Sequence, residues 1–323
     1  MTNPLVGISN GGLSIIDPTV AEKLANKKIS PSLVTGLQGC AASWLANTFV
    51  IREIMPEEDD NAASRGSLFH KVMEETFAEE PELRTRERIN EHRDAVLETD
   101  EFKAFKGNED ALRWLEEAID GYYKMGGRPE KVKVATIKRE SDKYPKKGLE
   151  IFVRGNIGGT KRDTLGFVDR LTEDQSPDAP EDGIIIEDWK SGAKAKKWNP
   201  KTKSDEGKAE ARQQTIYSML LEKEGINVTG ARLIFPVAGS VVNVDINDEK
   251  FREQVIKDIQ DTDAALDNYI ETNLFEYKPS FLCSWCAISK ICPKAQIGKF
   301  DKARAAYAKQ PSMEKLAEGI EFI

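Results

Sequence analysis

Two stretches decide how this chain folds: Gly166-Phe167-Val168-Asp169-Arg170 and, after an acidic turn-rich loop, Ile184-Ile185-Ile186-Glu187-Asp188-Trp189-Lys190-Ser191-Gly192. Both are apolar, β-branched runs that end in charge, which is how a strand reads when it leaves a core and arrives at an exposed edge. Alternate residues of a strand share a face, so Asp188 and Lys190 point one way and Trp189 the other. Two carboxylates and a lysine therefore gather on adjacent strand ends. Carboxylates so placed can bind Mg²⁺ or Mn²⁺, and an ammonium beside them can orient or deprotonate an attacking water. An isolated D-x-K also arises as a plain surface salt bridge, so its surroundings have to decide.

Working outward, strands are expected at 132–139, 149–157, 164–171 and 184–189, with Ser176-Pro177-Asp178-Ala179-Pro180 breaking the last pair apart. A helix over about 208–224, strands at 231–237 and 240–245, and a helix at 248–272 complete an α/β pattern. Upstream, Ser30 or Ser32 can cap a helix with Pro31 in its first turn and Leu33, Leu37, Ala41, Trp44, Leu45 and Thr48 at helical spacing, placing Cys40 on it. Beyond the breaker Pro56 to Asp60, a second helix starts near Ser64, carries Leu68, Phe69, Val72, Met73 and Phe77 on its apolar side, and contains His70. Residues 81–127 read as charged helices, the last with Trp114, Leu115, Ile119 and Tyr122 as its stripe and Gly126-Gly127 as its stop. The expected organisation is an arm at 1–29, a main domain at 30–297 with a helical insert at 56–130 and a cysteine segment at 281–297, and a helical tail at 298–323.

Composition narrows the function. The chain has 323 residues, 39% of them apolar, with 23 glycines, close to ordinary globular usage, so global disorder is excluded. With 47 basic against 55 acidic side chains the net charge is −8, so any nucleic-acid contact must come from local basic patches. The longest apolar stretches, such as Leu233 to Gly239, fall far short of the roughly 18 residues of a membrane span. The N-terminus lacks a basic region ahead of an apolar one, which makes a cytoplasmic protein the expectation. There, four cysteines are metal ligands, catalytic groups or core residues rather than disulfides.

Other candidates join the strand ends. His70 lies in Gly66-Ser67-Leu68-Phe69-His70; it is either a core histidine or, as a neutral imidazole, a metal ligand. Gln213 and Tyr217, four apart on the expected helix, share a face. Residues 190–203 hold Lys190, Lys194, Lys196, Lys197, Lys201 and Lys203 without one acid, a patch suited to phosphates or simply to solvent. Cys283, Cys286 and Cys292 form C-x2-C-x5-C, and with the distant Cys40 give four thiols, enough for tetrahedral zinc or a cubane iron–sulfur cluster. Neither a phosphate-cradling G-x-x-x-x-G-K-[ST] loop nor a G-x-S-x-G elbow occurs, which excludes a motor ATPase and a serine hydrolase of that type.

In order, G-x-x-x-H at 66–70, G-F-V-D-R at 166–170, I-E-D-W-K-S-G at 186–192, Q-x-x-x-Y at 213–217 and the split cysteine set resemble the RecB-type PD-(D/E)XK nucleases, in particular their iron–sulfur branch. That branch includes AddB and CRISPR-associated RecB-like nucleases, and the compact form here also resembles stand-alone phage exonucleases. The resemblance spans residues 30–293. It implies a restriction-endonuclease-like mixed sheet flanked by helices, with a 4Fe–4S cluster on Cys40, Cys283, Cys286 and Cys292 stapling the ends. It further implies a divalent ion, Mg²⁺ or Mn²⁺, on His70, Asp169, Asp188 and the Trp189 carbonyl, Lys190 as catalytic lysine, and Gln213 and Tyr217 beside the DNA backbone. Lys194, Lys196 and Lys197 are the further DNA contacts expected from the basic loop. A glutamate on the strand before Asp169 is common in the family, and Glu140 and Glu150 both qualify. Trp189 stands where tyrosine is commoner and Ser191 where threonine is. The implied activity is a metal-dependent deoxyribonuclease, an exonuclease on DNA ends, with single-stranded DNA as the expected substrate and 5′-to-3′ digestion as one of the polarities left open. Its setting would be recombination, repair or phage replication in a bacterial or phage-infected cytoplasm, with recombination or replication proteins as partners and no membrane. The competing readings are an idle DNA-binding or assembly subunit that keeps fold and cluster, and a zinc-stapled interaction module.

Overall fold

The computed structural model describes residues 4–55, 62–199 and 205–323. The start of the expected arm, the breaker Pro56 to Asp60, and Lys201 and Lys203 of the basic loop lie outside the described residues. The strands are β1 (Val6–Ile8), β2 (Gly12–Ile15), β3 (Thr136–Ile137), β4 (Lys146–Lys147), β5 (Leu149–Gly155), β6 (Thr164–Glu173), β7 (Ile184–Trp189), β8 (Val228–Phe235), β9 (Ser240–Val244), β10 (Phe275–Glu276) and β11 (Ile320–Phe322). The α-helices are α1 (Pro18–Ala25), α2 (Pro31–Gly39), α3 (Ala41–Leu45), α4 (Arg52–Ile54), α5 (Ala62–Ala78), α6 (Arg86–Val96), α7 (Glu109–Lys124), α8 (Lys208–Lys223), α9 (Glu249–Thr272), α10 (Asp301–Ala308) and α11 (Met313–Leu316). Among the described residues no helix is long and apolar enough to cross a membrane. The mixed α/β class read from sequence is the class observed.

Two compact units divide the chain: Met1–Glu58 with Gly158–Thr164 and Ile256–Ile323, and Asp59–Ile157 with Leu165–Val255. In the first, a four-stranded sheet of order β10-β2-β1-β11 joins residues from both ends of the chain, β1 running parallel to β11 and antiparallel to β2. Residues 4–29, read as an arm, thus carry two strands and α1, and the expected tail carries α10, α11 and β11. Leu13, Leu24, Leu33, Leu45, Val50, Leu266 and Phe275 form the core of this unit. Ser30 is the cap of α2, its hydroxyl accepting from the Leu33 amide at 3.2 Å. The continuous helix expected through Cys40 is broken there. Cys40 is extended (φ −142°, ψ 110°) and ends α2 while starting α3, so it sits at a junction.

The second unit is built on a five-stranded sheet, β5-β6-β7-β8-β9. β6 and β7 are antiparallel, β7 and β8 parallel with α8 in the crossover, and β8 and β9 antiparallel. Every residue of β7 is buried, which is why it reads as a near-continuous apolar run. The strand expected at 132–139 is only the two-residue β3, paired with β4. In α7, Asn108 caps the first turn by accepting from the Ala111 amide at 3.0 Å, Glu109 and Asp110 favour the positive helix end, and Gly126 leaves it with φ +88°. The buried faces of α5 and α7 and the ring of Trp189 form one core, with Leu68, Phe69, Phe77, Leu115, Ile119 and Tyr122.

Register decides what each face of the central strands presents. Arg170 of β6 lies opposite Glu187 of β7, and the two are bonded, Arg170 Nε donating to Glu187 Oε2 at 2.9 Å. The Arg170 guanidinium is covered by the Phe77 ring at 3.8 Å and the Trp189 ring at 4.6 Å. An ion pair this deep is costly to break from one side, because Glu187 is left buried with only the half-exposed Arg232, 3.5 Å away, as its partner. Arg170→Met should therefore lower unfolding free energy by about 3–5 kcal/mol, whereas Arg170→Met combined with Glu187→Leu should recover most of that loss. Urea denaturation of the two variants checks this; equal stability loss in both would assign the cost to packing instead.

Candidate active site

The opposite face of the same strands carries the charged cluster. One step beyond the Arg170–Glu187 pair, Asp169 and Asp188 face each other across β6 and β7, and the Trp189 amide donates to Asp169 Oδ2 at 2.8 Å. Lys190, at the end of β7, places Nζ 2.6 Å from Asp188 Oδ2 and donates to Gln213 Oε1 at 3.0 Å. Gln213 in turn donates from Nε2 to the Tyr217 hydroxyl at 3.0 Å. Helical spacing on α8 makes this possible, since residues four apart stack on one face. The Tyr217 ring lies so close to Gly166 that an added Cβ would meet it at 2.3 Å. The glycine of G-F-V-D-R is thus the seat of the tyrosine that holds the glutamine that holds the lysine.

α5 supplies the other side. A Cβ on Gly66 would meet Ser191 Oγ at 3.2 Å, so the glycine opening G-x-x-x-H lets the helix lie against the end of β7. His70 then donates from Nε2 to the Trp189 carbonyl at 3.1 Å, a carbonyl having no proton to give. In the neutral ring that bond leaves Nδ1 with its lone pair facing Asp169 Oδ2 at 3.5 Å. Two acceptors face each other, an arrangement that a proton or a cation between them relieves.

Of the two candidate glutamates, the structure brings Glu150 in. His70, Glu150 and Asp169 can each present a ligand atom within 4.8 Å of the others, the one such group of three among the described residues. Glu140 stays beside Gly225 and Glu224. Glu150 adopts φ +46°, the left-handed region that a long side chain rarely occupies, and strain of this sort persists where neighbours impose it. Strand pattern alone could not find it, because Glu150 merely alternates outward on β5 like any exposed residue.

Electrostatics makes the cluster cation-seeking. Burial, reinforced by the charge of Asp188, pushes Asp169 up to about 7. Glu150 is raised too, by desolvation of a carboxyl that sits low among its neighbours although the residue as a whole is exposed. Burial pulls Lys190 down, but the adjacent Asp188 outweighs it and the ammonium is held above its ordinary range. Asp188 Oδ2 is buried and, apart from that ammonium, has no hydrogen-bond partner among the described residues. Oxygen-rich donors with one imidazole, mutual repulsion and a buried carboxylate oxygen whose only partner among the described residues is an ammonium fit a hard divalent cation.

The remaining candidates are placed less uniformly. Tyr217 is buried, 4% exposed, with its hydroxyl committed to Gln213, so its position is that of a support and not of a surface contact. In the basic loop, Lys194 pairs with Glu206 at 2.7 Å and Lys196 with Glu210 at 3.2 Å, acids from outside the acid-free stretch. The four cysteines, all in the first unit, line one cavity of about 400 Å³ with Trp44, Tyr277 and Ile288. Amide N–H groups point at two of the sulfurs, Lys278 to Cys40 Sγ and Ser280 to Cys283 Sγ, both at 3.4 Å. Burial raises Cys286 and Cys292, so their thiolates need a positive partner.

Residues 28–293 match the PD-(D/E)XK nuclease superfamily, and the chain belongs to it. Enzymes of this superfamily use divalent metal ions. No curated protein matches the chain. Among solved structures, a protein of Eubacterium rectale, provisionally named an exonuclease, is similar over 90% of this chain and 96% of its own, with 11% identity and a TM-score of 0.41.

Saturating Mn²⁺ should stabilise the protein by about 2.7 kcal/mol at a hundredfold excess over Kd, raising Tm by roughly 4 °C. Asp169→Asn should abolish that rise without lowering the metal-free Tm, since it removes a buried repulsive charge. Differential scanning fluorimetry with and without Mn²⁺ reads both effects, and an undiminished rise in the variant would remove Asp169 from the ligand set.

Proposed function

We propose that this protein is a metal-dependent deoxyribonuclease acting on DNA ends, an exonuclease of the RecB-like iron–sulfur branch. The observation that carries the reading is the convergence of Asp169, Asp188, Glu150, His70 and Lys190 at adjacent strand ends and one helix face, with Lys190 held by Gln213. Asp169, Asp188, Glu150 and His70, with the Trp189 carbonyl, would hold the divalent ion, which supplies Lewis acidity toward a phosphodiester and its attacking water. Lys190 places a fixed positive charge, and a transferable proton, beside that ion's carboxylates. Gln213 accepts from Lys190 and so restricts where the ammonium points, and Tyr217 fixes Gln213. This division makes Lys190 a catalytic residue and Gln213 and Tyr217 positioning residues. The exposed Lys194, Lys196 and Lys197 supply phosphate contacts on the approach, diminished by the acids that pair with Lys194 and Lys196. An idle scaffold has no need of a lysine oriented through two further side chains.

The same reading assigns the thiol cavity a 4Fe–4S cluster on Cys40, Cys283, Cys286 and Cys292. A single zinc, with Zn–S near 2.3 Å, draws its sulfurs to within about 4 Å of one another. All four thiols line the same cavity, which suits either centre. Ligands of a cubane are spaced more widely, and amide hydrogen bonds to sulfur are a usual means of tuning it.

Purified protein with end-labelled single- and double-stranded DNA should show cleavage that requires Mn²⁺ or Mg²⁺ and stops with chelator. Lys190→Ala and Asp188→Ala should each reduce the rate by about 10²–10⁴-fold while leaving the circular dichroism spectrum unchanged. Wild-type rates in either variant would overturn the assignment. Anaerobically isolated protein should be brown and hold about four irons per chain, and serine at any one of the four cysteines should bleach it. A colourless protein with one zinc would replace the cluster by a zinc staple.

A further inference from the structure

Two large aromatic side chains stand in solvent immediately beside the carboxylates. Phe152 of β5 is 42% exposed and Phe167 of β6 is 55% exposed, with ring centroids 5.2 Å apart and planes inclined at 52°. Phe152 follows Glu150 by two residues on β5 and Phe167 precedes Asp169 by two on β6, and the Leu171 amide, donating to the Gly148 carbonyl at 2.7 Å, ties the two strands together at the carboxylate end. Strand rise sets the offset from each carboxylate at roughly 7 Å, the reach from a phosphodiester to an adjacent base. Burial of the intervening residues Ile151, Val153 and Val168 confirms that the rings are turned outward and take no part in the core.

We propose that Phe152 and Phe167 form a stacking platform for the unpaired base next to the scissile phosphate, so that the site takes single-stranded ends. This rests on the nuclease reading above and specifies its substrate. A base inside a duplex has both faces covered by its neighbours, whereas an unpaired or frayed terminal base offers a face to a ring. Stacking is indifferent to base identity, since every base has a π-face, and suits an enzyme that advances along arbitrary sequence. The platform also explains two exposed phenylalanines in an acidic, highly charged protein at the one edge where charged side chains would repel or compete with a metal ion.

Single-stranded oligonucleotides with a normal or an abasic terminal nucleotide test this, comparing KM for cleavage with Mn²⁺ and, in an Asp188→Asn background, binding by fluorescence anisotropy. For the wild-type rings the abasic oligonucleotide should be about 10- to 100-fold weaker. Phe152→Leu with Phe167→Leu keeps apolar volume and removes the rings, and should collapse that ratio toward one; Phe152→Trp should preserve it. A ratio equal to wild type in the double leucine variant overturns the platform, as does a wild-type protein that already ignores the missing base. Loss of a dimer in that variant, with the ratio unchanged, would assign the rings to a second copy of the chain and likewise overturn it. Absence of any cleavage with Mn²⁺ would refute the nuclease reading, while the anisotropy ratio still decides the platform by itself.

Discussion

The antiparallel register of β6 on β7 is the constraint on which everything else in the second unit depends. Because side chains alternate, setting Arg170 opposite Glu187 simultaneously sets Asp169 opposite Asp188 on the other face. A slip of one residue would turn Trp189 to the carboxylates and thrust Asp188 among Phe69, Phe77 and Tyr122. The buried Arg170–Glu187 pair guards against that slip: it can be satisfied in only one register, with Phe77 and Trp189 closing over the guanidinium. A hydrophobic pair could pack as well, but it would tolerate a shifted partner. Ionic pairing here buys specificity of register, the best-attested role of buried charge.

From that register follows the electrostatic asymmetry of the charged face. Lys190 can neutralise Asp188, which precedes it by two residues on the same strand, but Asp169 faces an imidazole lone pair and a second carboxylate. One side of the cluster is thus compensated within the protein and the other is not. The uncompensated side is the one that rises toward neutral pH. A cluster satisfied throughout would have little affinity for a divalent ion; a cluster with no internal cation would leave the buried Asp188 carboxylate unpaired. Both properties come from placing one lysine at the end of one strand.

Much of this was legible in the sequence, and the parts that were not have physical reasons. Period-two alternation located β5 to β9 to within a few residues, and strand geometry put Asp188 and Lys190 on one face because that inference needs no tertiary information. Helical spacing paired Gln213 with Tyr217, but only packing against Gly166 showed the tyrosine to be a buried support. The choice between Glu140 and Glu150 depends on a left-handed backbone residue and on β5 lying beside β6, neither of which periodicity reports. The break at Cys40 leaves no mark on the periodicity, because apolar residues continue at helical spacing across it. The basic loop looked uncompensated because its acids, Glu206 and Glu210, lie beyond the stretch over which charge was counted.

The thiol cavity shows how a long sequence separation can cost little. Closing a loop from Cys40 to Cys283 carries an entropic cost that grows only logarithmically, about 0.6 kcal/mol per doubling of length. That closure is moreover made already by the sheet, where β1 pairs with β11 and β2 with β10. Residues from the two ends of the chain are held together by backbone hydrogen bonds and by the core of Leu13, Leu45 and Phe275 before any sulfur ligand is considered. Cys40 needs only the local break between α2 and α3 to turn its sulfur toward the cavity. All four thiols lie in the first unit, whereas the cluster of His70, Glu150 and Asp169 lies in the second, so soft and hard donors are gathered in separate places.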